Sequence, residues 1–202
     1  MSPDTSRSNT PNSREPIPTT PLPIHGPTIS NIVCGAHLNC LFDLHHIALS
    51  ARNVMYNPKR FPAAVIRHRR PKATGLVFAT GKLQVLGCRS VSDAVLACRR
   101  FARMLQKLGY QPRLEDFVVQ NIVANADTRM LIRLEGLQYA HPAFCRYEPE
   151  IFPGLVYSIM EPKMTVLVFA GGKLVLLGAK NEGDLEKAVK VLYPVLTLFR
   201  RS

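Results

Sequence analysis

The residue types that most often carry catalysis are scattered along this chain. Five cysteines stand at Cys34, Cys40, Cys88, Cys98 and Cys145. The count is odd, and no pair has the C-x-x-C spacing of a zinc or redox site. His45 and His46 are adjacent, so their rings point in different directions. His25, His37, His68 and His141 have no ligand spacing with cysteine or carboxylate. Glu115-Asp116 and the Glu148/Glu150 pair have no partner base within reach by sequence. There is no phosphate-cradling glycine loop and no G-x-S-x-G nucleophile turn. The reading is therefore not an enzyme, with no metal and no cofactor. The thiols read as buried groups in a reducing compartment, which means cytosol or nucleus.

Cations are the remaining chemistry. The chain has 202 residues, 26 Lys and Arg against 14 Asp and Glu, and a formal net charge of +12. Residues 28–116 carry 14 basic and 4 acidic side chains, and residues 117–202 carry 10 and 8. Such an excess on a compact domain favours a polyanionic partner: DNA, RNA or an anionic membrane surface. No stretch approaches the roughly 18 apolar residues of a membrane span. Arg99, Arg103 and Lys107 lie at spacing four along one predicted helix face. They are either a solvated edge or a docking surface for an acidic protein or phosphates.

The first 27 residues hold seven of the 16 prolines and are otherwise rich in Ser, Thr and Asn. That composition cannot bury a core, and it has no apolar segment of a secretory signal, so a disordered tail is expected over 1–27. With 47% hydrophobic residues in the whole chain, the remainder is globular.

That remainder is written twice. Residues 74–89, TGLVFATGKLQVLGCR, match residues 165–180, TVLVFAGGKLVLLGAK, at ten of 16 positions with an offset of 91. Asn31-Ile32-Val33 returns as Asn121-Ile122-Val123 at offset 90. Tyr56-Asn57-Pro58 with Phe61-Pro62 returns as Tyr147-Glu148-Pro149 with Phe152-Pro153. Two units follow, 28–116 and 117–202, related by a pseudo-twofold axis rather than stacked as a solenoid.

Each unit reads alike. It opens with a strand (29–34 or 117–124), then a short helix (near 43–49 or 133–140). Three strands follow at 62–68, 74–79 and 82–88, echoed at 154–160, 164–170 and 173–179. A long amphipathic helix closes each unit, over 91–108 or 184–199, with Gly109 stopping the first and Pro194 expected to kink the second.

The hairpin strands are apolar on both faces. In the first unit Val77, Ala79, Leu83 and Val85 oppose Leu76, Phe78, Gln84 and Leu86. In the second, Val166, Val168, Leu174 and Leu176 oppose Leu167, Phe169, Val175 and Leu177. Two long helices can cover one face, and no helical sequence is left for the other. That face must meet a second sheet, another chain or a ligand. Asn31 and Asn121 share it with Val33 and Val123, an unusual placement for amides inside a plain sandwich core.

On these motifs (NIV in both units, IALSARNVMYNPKRF, FATGK, RRFARMLQKLGY, IRLEGL, YEPEIFPGLVY, FAGGKLVLLGAK and YPVL) the sequence over 28–202 resembles the TATA-box-binding protein family. The resemblance implies an α+β fold: one curved, antiparallel ten-stranded sheet, pseudo-twofold, with four helices on its convex face. It implies a general transcription initiation factor of the nucleus that grips the DNA minor groove and nucleates the preinitiation complex. Sharp bending of the duplex is a known property of that family. Phe61 with Phe78, and Phe152 with Phe169, match its wedging rings, while Asn31 and Asn121 match the amides at the centre of its site. Val33, Leu76, Val123, Leu167 and Val175 match its groove floor. Arg60, Arg67, Lys82, Lys173 and Lys180 match its phosphate-reaching or edge positions.

Departures from the family pattern are Leu86 and Leu177 in place of threonines that read base edges. Gln84 replaces a valine, Ser158 an arginine and Glu161 a lysine. These changes put a strict TATA preference in doubt. They leave an alternative, a related scaffold acting mainly through protein partners. Glu148, Glu150 and Ile151 match the loop that docks transcription factor IIB. Arg99, Arg103 and Lys107 match the surface that takes factor IIA and negative regulators. TATA-box-binding-protein-associated factors and RNA polymerase machinery complete the implied partners, and a bare apolar underside admits self-association of DNA-free chains.

Overall fold

Local chemistry sets the helix starts. The carboxylate of Asp43 accepts the backbone N–H groups of His45 and His46, which opens α1, Leu44–Ser50. Ser90 and Asn181 do the same for α2, Val91–Lys107, and α4, Glu182–Leu198, accepting from Asp93 N and Asp184 N. These side chains satisfy N–H groups that the first turn leaves without partners. Gly109, at φ +92°, follows α2 in the left-handed conformation that ends it. α4 runs through Pro194 to Leu198, and Thr197 Oγ1 donates to the carbonyl of Tyr193.

The computed structural model describes residues 24–201. Most of the tail expected over 1–27 lies outside them, and its last residues instead open the first strand. The strands are β1 His25–His37, β2 Val54–Asn57, β3 Phe61–Arg69, β4 Lys72–Phe78, β5 Lys82–Cys88, β6 Glu115–Asp127, β7 Cys145–Arg146, β8 Leu155–Ile159, β9 Met164–Val168 and β10 Lys173–Ala179. The remaining helix, α3, spans Leu134–Ala140. All the strands belong to one curved antiparallel sheet in the order β2-β3-β4-β5-β1-β6-β10-β9-β8-β7.

The order is a palindrome of the repeat. β1 and β6 pair at the centre, with Asn31 opposite Val123, Ile32 opposite Ile122 and Val33 opposite Asn121. The pseudo-twofold axis therefore passes through the Ile32–Ile122 pair. The hairpin turns after β3 and β8 both carry a cis peptide bond, Arg70-Pro71 and Glu161-Pro162, again 91 residues apart.

The two faces of the sheet have different fates. Val77, Leu83 and Val85 are fully buried, as are Val166, Val168, Leu174 and Leu176 to within 2%. They share one core with Phe101 and Leu105 of α2 and with Leu185, Leu192 and Leu196 of α4. Fully burying such a side chain contributes about 1.5–3 kcal/mol. On the other face Leu76, Phe78, Gln84, Leu86, Leu167, Phe169, Val175 and Leu177 are only half-buried. The helices take one side and leave the other bare. Ala79 does not join the buried set expected for it: it is exposed in the turn after β4.

Candidate nucleic-acid interface

The register arranges the bare face in rows. Thr74, Leu86, Val33 and Asn121 face one another across β4, β5, β1 and β6. Their pseudo-symmetric copies are Thr165, Leu177, Val123 and Asn31. Farther from the axis lie Leu76, Gln84 and Gly35, matched by Leu167, Val175 and Asn125.

Beside the axis, Asn31 and Asn121 are oriented by the strand next door. Gly87 and Gly178 have φ of +98° and +100°, where a side chain would be strained. Each sits at a bulge in its pairing with the central strands. The bulge frees one N–H, and an amide oxygen takes it: Gly87 N–H donates to Asn31 Oδ1 at 2.8 Å, and Gly178 N–H to Asn121 Oδ1 at 2.9 Å. A backbone N–H can face only the oxygen of an amide, so both NH2 groups are left as donors with no bond to any of the described residues.

Aromatic pairs flank this centre. Phe61 meets Phe78 edge to face with ring centroids 6.1 Å apart and planes at 62°. Phe152 meets Phe169 at 5.9 Å and 65°. Phe61 and Phe152 are 41% and 37% exposed, large for phenylalanines on strand and loop scaffolds that offer a core on the opposite side. The second pair converges over Gly154, where an added Cβ would lie 2.7 Å from the ring of Phe152 and 3.0 Å from that of Phe169.

The cations line the rim unevenly. Arg60 stands exposed in the turn before Phe61, and Lys82 and Lys173 open β5 and β10. Arg67 is exposed on β3, and Lys180 follows β10. Arg67, Arg69, Arg70, Lys72 and Arg89 cluster at the end of the first repeat. At offset 91 they become Ser158, Met160, Glu161, Lys163 and Lys180, so five cations face two cations and an anion.

Arg99, Arg103 and Lys107 are exposed on α2, and Glu148, Glu150 and Ile151 are exposed between β7 and β8. Arg146 pairs with Glu148 at 2.8 Å, so that loop is less acidic than its sequence suggests. The first group lies on α2, away from the amides and rings, whereas the Glu148–Ile151 loop runs directly into Phe152, whose N–H donates to the Glu148 carbonyl at 2.9 Å. Thr74, Thr165 and Gln120 were not expected at the bare face, and register alone brings them there. Among the described residues no group of three or more His, Cys, Asp or Glu could hold a metal ion. Nor is any helix there long and apolar enough to cross a membrane.

The arrangement presents paired hydrogen-bond donors on an apolar strip, exposed rings at both ends and a cationic rim. Comparison with known proteins agrees with that composition. The family described as "Transcription factor TFIID (or TATA-binding protein, TBP)" matches residues 26–108 and again 116–199. The chain is 51% identical over 175 residues to the TATA-box-binding protein of Schizosaccharomyces pombe, covering 87% of this chain and 76% of that one. Against the TATA-box-binding protein of Saccharomyces cerevisiae it is 49% identical over 175 residues, covering 87% and 73%. The solved structure of Methanococcus jannaschii TBP superposes with a TM-score of 0.77 at 32% identity, over 86% of this chain and 99% of that one.

Proposed function

The chain belongs to the TATA-box-binding protein family of DNA-binding transcription factors, and from that premise we propose that its bare face grips the minor groove of promoter DNA and bends it. The observation that carries this reading is the pair of outward-facing NH2 groups of Asn31 and Asn121, held beside the pseudo-twofold axis. The minor-groove edge of an A·T pair offers only acceptors, adenine N3 and thymine O2, which match those donors. The strip formed by Val33, Leu76, Val123, Leu167 and Val175 lies against the groove floor. Phe61 with Phe78, and Phe152 with Phe169, enter opened base steps at the two ends. Unstacking costs a few kcal/mol per step, offset by the larger surface that bent DNA covers.

The rim cations set affinity and its salt dependence rather than sequence choice. On the bent duplex, Ile151 with Glu148 and Glu150 offers a loop for transcription factor IIB, and Arg99, Arg103 and Lys107 offer a face for factor IIA or negative regulators. Recruitment of associated factors and polymerase follows in the nucleus.

The second reading, a scaffold that works mainly through proteins, draws on Leu86 and Leu177. Against it, Thr74 and Thr165 supply hydroxyls directly opposite those leucines, one strand away on the same face. A fluorescence bend assay on an A·T-rich duplex decides between the two. Wild-type protein bends it, and Phe152→Ala with Phe169→Ala flattens the bend. Normal bending by that double variant refutes the wedge. No binding by wild-type protein, at low and physiological salt, leaves only the scaffold.

A further inference from the structure

Resting on that reading, we propose that Gln84 and Gln120 form an amide site for the exocyclic amino group of guanine, confined to the half of the duplex under the first repeat. Gln84 lies on the bare face between the central amides and the Phe61–Phe78 pair, in the row with Leu76 and Gly35. Its Nε2 donates to Gln120 Oε1 at 3.0 Å. The β1–β6 register shifts beside Gln120, where Val33 faces Asn121 and Cys34 faces Val119. Gln120 then lies over Gly35, where an added Cβ would sit 2.6 Å from its Nε2. The missing side chain at residue 35 makes room for the second amide.

A primary amide has two donors and an acceptor oxygen with two lone pairs. One bond between two such groups uses one N–H and one lone pair. Whichever amide donates, the pair keeps a carbonyl oxygen and an NH2 group unused. The minor-groove edge of G·C differs from that of A·T by a single donor, the guanine N2 amino group. An apolar contact leaves that donor stranded, whereas the unused amide oxygen accepts it and the unused NH2 reaches the neighbouring groove acceptor.

The second repeat has no equivalent. At offset 91 Gln84 becomes Val175, and at offset 90 Gly35 becomes Asn125 while Gln120 corresponds to Ser30. Ser30 instead donates its hydroxyl to the carbonyl of Val123. G·C is therefore accepted at one position of the first-repeat half and rejected at the matching position of the other.

The test uses the full chain and a palindromic A·T duplex, whose halves are equivalent. G·C is introduced at each position from centre to end, first in one half and then in both, and binding is read by fluorescence anisotropy. At one position the wild-type protein tolerates the first G·C, seating its first repeat there, and loses about tenfold or more only when the second is added. Gln84→Leu loses about tenfold more on the first G·C at that position than it loses on the all-A·T duplex. Gln120→Leu, on β6 across the central strand β1, gives the same pattern and serves if Gln84→Leu fails to fold. Equal penalties for the first and second G·C at every position overturn the inference, as does a penalty unchanged by either substitution. Wild-type protein that fails to bind the all-A·T duplex overturns the minor-groove reading itself.

Discussion

Changing Asn31 and Asn121 to aspartate separates folding from recognition. Each amide oxygen accepts a glycine N–H at 2.8 or 2.9 Å, and a carboxylate oxygen replaces it without loss. A charged acceptor makes that bond stronger, so Asn31→Asp and Asn121→Asp leave the folded protein at least as stable as before. Only the outward NH2 groups disappear. If each makes one well-aligned hydrogen bond in the groove, its removal costs about 1–3 kcal/mol per site, or roughly 5- to 150-fold in affinity. The new carboxylate oxygen faces groove acceptors and adds repulsion, so the upper part of that range is expected. Acid provides an internal check, because protonating the new carboxyl restores one donor and part of the binding. Thermal unfolding and anisotropy on one A·T-rich duplex measure both sides. Aspartate variants that bind as tightly as wild type would refute the outward donors, and with them the central reading of the site.

Three further outcomes follow from the same geometry. Neutralising Arg67, Arg69 and Lys72 reduces the slope of log K against log salt by about 0.9 for each phosphate that no longer has a cation beside it, and more than Lys163→Ala does in the second repeat. In the folded protein a thiol reagent at neutral pH modifies Cys40 and spares the four buried thiols. Burial pushes Cys88 and Cys145 up to about 11, and the contact with the Cys98 sulfur at 3.9 Å together with burial raises Cys34. All five react once the chain is denatured. His68 lies against Phe101 with ring centroids 4.5 Å apart, its Nε2 buried with no hydrogen-bond partner among the described residues, and burial together with nearby Arg100 lowers its pKa from 6.5. The unfolded chain then binds the proton that the folded chain refuses. Stability is retained above pH 6.5 and falls as pH drops below it, and His68→Gln flattens that fall in denaturant titrations from pH 7 to 5.

Much of this was legible in the sequence because the physics that wrote it is local. Period-two alternation placed Val77, Leu83 and Val85 opposite Leu76, Gln84 and Leu86, and the structure buries the first set alone. The 3.6 period marked α2 and α4 to within two residues at each end. The edge strands β2 and β7 escaped, being four and two residues long with no period to detect. β1 and β6 reach 13 residues each, twice the expected β1 and well beyond the expected β6, because bulges break the alternation that would have announced their ends. Gln120 escaped for the same reason: strict alternation sends it away from Asn121, and the irregular register brings it over Gly35. Thr74 and Thr165 needed knowledge of which residues face Leu86 and Leu177 across a strand boundary, which no single-strand pattern contains.

A chain that repeats itself also carries its own control. Positions 90 or 91 residues apart fold into the same environment, so a difference between them is not demanded by folding. On the helix-covered face Val77, Leu83 and Val85 become Val168, Leu174 and Leu176, apolar for apolar and buried in both copies. On the bare face Gln84 becomes Val175 and Gly35 becomes Asn125, and at the rim Arg67, Arg69 and Arg70 become Ser158, Met160 and Glu161. The covered positions stay apolar for apolar and the bare face keeps its amides, rings and leucines, while Gln84 with Gly35 and the rim cations have diverged. A sheet that needed only to cover itself would have no use for that asymmetry, whereas one lying along a duplex with two different ends would read each end with a different half.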